Sequence, residues 1–138
     1  MNANLAWDIT KGHSNIKIAI IDSNINTSHS EFSSTQFADF YDTTTGSSIP
    51  SADYGYHGTM VCGIVAADHN HAKIAGIAPN CKVIPICYST QNHETTAANL
   101  ASGFYWAIEH DASVINCSWG DHNGEHLFIH SAILESAI

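Results

Sequence analysis

The sequence predicts an α/β fold: a parallel sheet with helices on both faces. Three observations lead there. Short apolar runs occupy residues 16–21, 82–87 and 113–117, stretches with helical spacing lie between them, and turn-forming residues stop the first run abruptly. Strands that alternate with helices in this way are joined by crossovers, and such sheets place their chemistry at the carboxyl ends of the strands.

Ile16-Lys17-Ile18-Ala19-Ile20-Ile21 is nearly continuous in apolar character, as a strand covered on both faces must be, and Asp22-Ser23-Asn24 ends it. Residues 36–41 read as a second, weaker strand, and 43–51, rich in Thr, Ser and Gly, as a surface loop. In 58–67, Met60, Val61, Ile64 and Val65 make the segment too apolar for an exposed helix, which predicts a central, buried one with His57 at its amino end. The strand at 82–87 contains Pro85, which removes a ladder donor and weakens that assignment. Ala97, Leu100, Ala101, Phe104 and Ile108 share one helical face, so 96–110 is expected as an amphipathic crossover helix. A strand at 113–117 and a last helix from about His126 to the chain end complete the pattern.

The 138 residues include 44% hydrophobic and 12% charged residues, with no repeats and no run long enough to cross a bilayer. Residues 1–138 therefore form one globular domain or part of one. Thirteen acidic against four basic side chains give a net charge of -9, which disfavours nucleic acid and anionic membrane surfaces as partners. Met1 is followed by Asn2 and Asn4 rather than a basic stretch and an apolar core, so no secretory signal is visible and the compartment stays open. Cys62, Cys81, Cys87 and Cys117 show neither a C-x-x-C pair nor metal-finger spacing. An extended stretch between Cys81 and Cys87 holds their α-carbons roughly 20 Å apart, against the roughly 7 Å that a disulfide tolerates. All four are expected as buried free thiols rather than as a redox switch.

Chemistry enters with Asp22 and His57. A carboxylate withdrawn from water at a strand end is costly unless a donor meets it, and an imidazole N–H is a suitable donor. In a catalytic triad such a carboxylate fixes the imidazole tautomer and stabilises the imidazolium that forms when the ring takes a proton. Taken singly, Asp22 reads equally well as a turn cap and His57 as a helix-end residue.

Taken together, the segments Ile18-Ala19-Ile20-Ile21-Asp22-Ser23 with Ser28-His29-Ser30-Glu31, and His57-Gly58-Thr59-Met60-Val61-Cys62-Gly63-Ile64-Val65-Ala66-Ala67, form a pattern. Gly76-Ile77-Ala78-Pro79, Trp106-Ala107-Ile108 and Val114-Ile115-Asn116-Cys117-Ser118-Trp119-Gly120 continue it in collinear order. In these motifs the chain resembles the subtilisin family of serine endopeptidases. The resemblance implies the amino-terminal part of a subtilisin-like catalytic domain, with Asp22 as triad acid and His57 as general base. It also implies that Ser118, Trp119 and Gly120 form one wall of the pocket for the residue before the scissile bond. His93, Glu94 and Thr95 would be the edge that pairs with an extended polypeptide substrate.

Departures from the family pattern accompany the match. Asn24 stands where a glycine usually follows Asp-Ser, and because asparagine tolerates positive φ the turn is expected to survive. Trp119 replaces a common leucine, and His93, Glu94 and Thr95 lack the usual glycines. The family's oxyanion-hole asparagine follows the helix that ends here at Ile138, and its nucleophilic serine comes much later; neither lies in these residues, and Gly46-Ser47-Ser48 sits in a polar loop. The chain alone is thus expected to be truncated before the nucleophile segment and inactive, and a complementary carboxyl-terminal part to be its partner. A secreted parent is compatible with the resemblance.

No cofactor is required by this chemistry. Calcium is the one metal that the resemblance suggests, with Glu31, Asp68, Asn70, Ala72 and Ile74 as weak candidate ligands against a plain solvated loop. His122, Glu125 and His126 fit the H-x-x-E-H string of some zinc peptidases, but Gly124 weakens the helix that string needs. A non-catalytic peptide- or protein-binding remnant of the family is the alternative function. The outer edge of the strand at 113–117, if bare, invites self-association.

Overall fold

The computed structural model describes residues 2–49, 56–70, 73–89 and 95–119. Its elements run α1 (Ala3–Trp7), β1 (Lys17–Ser23), β2 (Tyr41–Asp42), α2 (Tyr56–Ala66), β3 (Lys82–Ser89), α3 (Ala97–Glu109) and β4 (Val114–Asn116). The strands form one parallel sheet in the order β2-β3-β1-β4, and no described helix is long and apolar enough to cross a membrane.

Alternation along β1 divides the core into two. Ala19 and Ile21 pack with Ile84, Ile86, Leu100, Phe104 and Ala107 on the α3 face. Ile18 and Ile20 pack with Ile25, Cys62, Ala66 and Val83 on the α2 face. Because side chains alternate with a period of two, Asp22 follows Ile18 and Ile20 onto the α2 side.

Pro85 sits mid-strand for a readable reason. Val83 donates to Gln36 O and accepts from Ala38 N, and Cys87 O accepts from Thr43 N, so alternate residues of β3 address the irregular β2 side. The proline's missing donor falls between those contacts, before regular β2 pairing begins at Tyr41↔Ile86. The expected strand at 36–41 accordingly shrinks to a bridge at Phe37 and the two residues of β2. The crossover helix is observed as α3, with the Thr96 hydroxyl accepting the Asn99 N–H at its amino end.

The expectation for 58–67 needs correction. The helix is there, but it is covered on one side only among the described residues: Gly58, Cys62, Gly63 and Ala66 are buried, while Met60 and Ile64 are 61% and 62% exposed. The segment Gly76-Ile77-Ala78-Pro79 finds its use at the far end of this helix. Gly76, Ile77 and Ala78 donate to the carbonyls of Ala67, Ile64 and Val65, which would otherwise be left without partners. A Cβ at Gly76 would lie 2.3 Å from Ala67 N, so only glycine allows this approach. α1, absent from the sequence-based expectations, is tied down by the Trp7 indole donating to Ile77 O at 2.8 Å. The expected helix from His126 lies outside the described residues.

Candidate active site

Asp22 lies near the carboxyl end of the central strand, and His57 is the second residue of α2. The strand end and the helix start are joined by three successive contacts. Asp22 Oδ1 lies 2.8 Å from His57 Nδ1, the Ser23 hydroxyl accepts the Gly58 N–H at 2.9 Å, and the Thr59 hydroxyl accepts the Asn26 N–H at 3.0 Å. Gly58 is required by closeness, because a Cβ there would stand 2.1 Å from Ser23 O. A negative charge beside the first turn of a helix is also favoured by the helix dipole.

The two partners differ in exposure: the Asp22 side chain is 1% exposed and the His57 side chain 57%. An ionised carboxylate has only acceptor atoms, so with a neutral ring the hydrogen in their bond sits on Nδ1 and Nε2 keeps a lone pair. Asp22 Oδ1 also accepts the Ser23 N–H at 2.7 Å. Its other oxygen is buried and has no hydrogen-bond partner among the described residues. An exposed base held by a buried anion can take a proton from a group brought to its outer side.

Trp119 reaches the same strand end, its indole N–H donating to Ile21 O at 2.7 Å. Ser118 accepts from Asn116 Nδ2 at 3.0 Å. Thr95 stands just before the α3 cap, its hydroxyl on Thr96 O at 3.4 Å, and makes no hydrogen bond to Asp22 or His57. His93, Glu94 and Gly120 lie outside the described residues, as do His122, Glu125 and His126.

All four cysteines are free thiols, with Cys62, Cys81 and Cys87 buried; Cys117 departs from expectation in being only half-buried. Burial pushes the Cys62 thiol up from 9.0 to about 12. Burial, and then the Asp22 charge, pushes Cys117 to about 11. Both are held as neutral thiols near neutral pH.

Among the calcium candidates, Glu31 is buried, and Oε2 accepts the Ile74 N–H at 3.2 Å. The Asp68 N–H donates to Glu31 O at 2.8 Å, and Asn70 Nδ2 lies 3.4 Å from Ser30 O. These four residues therefore share one loop cluster, while Ala72 lies outside the described residues. A cavity of about 410 Å³, lined by His13, Ser33, Gln36, Asp68, Asn80 and Lys82 among others, opens at the amino ends of β1 and β3. It is remote from Asp22 along the sheet.

Sequence reasoning missed Ser23 and Thr59 as the hydroxyls that lock the strand to the helix, although both flank the motif residues directly. The turn at Asn24 forms as expected, but for a different reason. The φ of this residue is not positive, and the turn is held instead by its buried side chain accepting the Ile25 N–H at 2.9 Å.

Comparison with known proteins identifies the family. Residues 13–137 match the model of the subtilase family. The chain is 34% identical over 136 residues to a thermophilic serine proteinase of a Bacillus species, covering 96% of this chain and 31% of the relative. It is 33% identical over 125 residues to a calcium-dependent protease of a Nostoc species, covering 89% of this chain and 18% of the relative. Fervidolysin from Fervidobacterium pennivorans, a keratinolytic enzyme related to subtilisin, superposes with a TM-score of 0.79 at 26% identity over 96% of this chain and 21% of its own. The chain thus spans less than a third of the length of these relatives, and it belongs to the subtilase family.

Proposed function

We propose that this chain supplies the acid and the base of a serine endopeptidase whose nucleophile and oxyanion donor come from a complementary carboxyl-terminal part of the catalytic domain. The observation that carries the reading is the 2.8 Å contact between buried Asp22 and exposed His57. In this reading His57 Nε2 takes the proton of the incoming serine hydroxyl as the oxygen attacks a peptide carbonyl, and then returns it to the leaving amine. Asp22 holds the ring in the productive tautomer and stabilises the imidazolium between those steps. Water repeats the sequence on the acyl-enzyme. Ser118, Trp119 and Gly120 line the pocket for the residue before the scissile bond, and His93, Glu94 and Thr95 pair with the substrate backbone.

Two features of the chain support a missing complement. The buried Asp22 Oδ2 has no donor among the described residues, and the side of α2 that carries Tyr56, Met60 and Ile64 is exposed. Full-length protein should cleave unfolded casein, while the 138-residue chain should leave it intact. Cleavage by the isolated chain, or none by the full-length protein, would overturn the reading; binding without cleavage by the latter would favour a non-catalytic remnant.

The same reading assigns Glu31 a structural cation. Among the described residues, Glu31 Oε1 is buried with no hydrogen-bond partner, and no three His, Cys, Asp or Glu side chains converge. One carboxylate plus Asn70 and the carbonyls of Asp68, Ala72 and Ile74 suits calcium and not zinc. The relative named as calcium-dependent lends support. Millimolar calcium should raise the melting temperature of the chain, and Glu31→Gln should remove the rise; no rise in the unaltered chain would refute the assignment.

A further inference from the structure

We infer that Trp119 is a positioning residue for Asp22, acting through the peptide unit that joins Ile21 to Asp22; this rests on the protease reading above. β1 uses its two edges alternately. Ile16 O accepts from Lys82 N on the β3 side, and Lys17 O accepts from Ser113 N on the β4 side, so by the same alternation the Ile21 carbonyl faces β4. Regular pairing with β4 ends at Ile20↔Asn116. One residue later the Ile21 carbonyl receives the indole N–H of Trp119 at 2.7 Å, from a side chain 98 residues away.

On the opposite edge, pairing with β3 continues through Asp22↔Cys87 and then shifts register between Asp22 and Ser23. The strand is therefore irregular on one side at the residue that carries the acid, and on the other side an indole continues where strand pairing ends. A peptide unit is planar, so holding its carbonyl fixes the plane from which the Asp22 side chain departs. The indole is itself held, its ring 5.7 Å from Tyr88 at 63°, with both rings packed against the α3-side core. Trp119 thereby couples the segment assigned to the substrate pocket to the residue that orients His57.

The test separates the N–H from the ring. Trp119→Phe removes the donor and keeps an aromatic ring facing Tyr88; Tyr88→Leu does the reverse. In the 138-residue chain, the His57 Nδ1–H proton resonance, assigned by its loss in His57→Ala, should exchange with water about tenfold faster in Trp119→Phe and stay unchanged in Tyr88→Leu. In the full-length enzyme Trp119→Phe should lower kcat about tenfold with KM held within about twofold. Should Trp119→Phe fail to fold, β-(3-benzothienyl)alanine at 119 keeps the shape of the side chain without its N–H. An unchanged resonance in the variant that lacks the N–H, with only a lower melting temperature, would overturn the proposal. The resonance needs no nucleophile, so a full-length protein without activity would refute the protease reading and leave this result to decide the role of Trp119.

Discussion

α3 and α2 lie on opposite faces of one sheet and treat their large side chains in opposite ways. α3 turns Leu100, Phe104 and Ala107 into the strands, so that burial of one stripe accounts for its stability, as in an ordinary surface helix. α2 does the reverse. Its small residues Gly58, Cys62 and Ala66 face β1 and let the backbone come close, while Tyr56, Met60 and Ile64, spaced four apart on one side, point outward. A helix that is small inside and large and apolar outside is built to be covered twice. His57 sits at the start of that outward side, so in the proposed reading the surface left for a complement is also the surface that its nucleophile would approach.

The sharpest way to break this comparison is to remove the chemistry and leave the packing. In full-length protein His57→Ala should lower kcat about a million-fold and Asp22→Asn by about 10⁴-fold or more, the scale of losses in subtilisin, the namesake of this family. Circular dichroism should be unchanged. Next in size, Phe104→Ala should destabilise the isolated chain by about 3–5 kcal/mol in urea unfolding, because α3 already buries this ring. Gly58→Ala tests the close face of α2. The added methyl meets the Ser23 carbonyl, which should cost about 1–3 kcal/mol and, by displacing His57, about a hundredfold in kcat.

Smaller effects probe the outward face. Met60→Ser with Ile64→Ser should leave the stability of the isolated chain within about 0.5 kcal/mol yet weaken its binding to the complementary part by about tenfold or more in calorimetric titration. Unweakened binding would mean that the stripe is not the covered surface. The last effect is in pH. The Cys62 thiol is raised from 9.0 to about 12 in the folded chain, so the unfolded chain loses this proton first. The stabilising contribution is complete below pH 9.0 and is lost as pH rises toward about 12. Unfolding midpoints taken across that window should fall less steeply in Cys62→Ala.

How much of this was legible in the sequence depends on the range of the forces involved. The β1 run, the α3 periodicity and the Asp22 and His57 motifs were readable because each is a local pattern of apolar spacing followed by a turn or cap. Three features were not. The exposure of Met60 and Ile64 depends on what else covers α2, which the apolar character of the helix cannot report. The shortening of the second strand to Tyr41–Asp42 depends on where Pro85 interrupts its neighbour. The bond from Trp119 to Ile21 O spans 98 residues, beyond any local rule, although an indole beside the pocket motif was a residue to watch. Ser23 lay in plain view, but its hydroxyl acquires a partner only when α2 docks.

Fluorophosphonate labelling of the full-length protein tests the central claim most directly, because the probe reports a serine activated by a base. Stoichiometric labelling that disappears in His57→Ala is the expected result. Labelling that persists in His57→Ala, or no labelling of the unaltered protein, would contradict the assignment of Asp22 and His57 to a serine-protease triad.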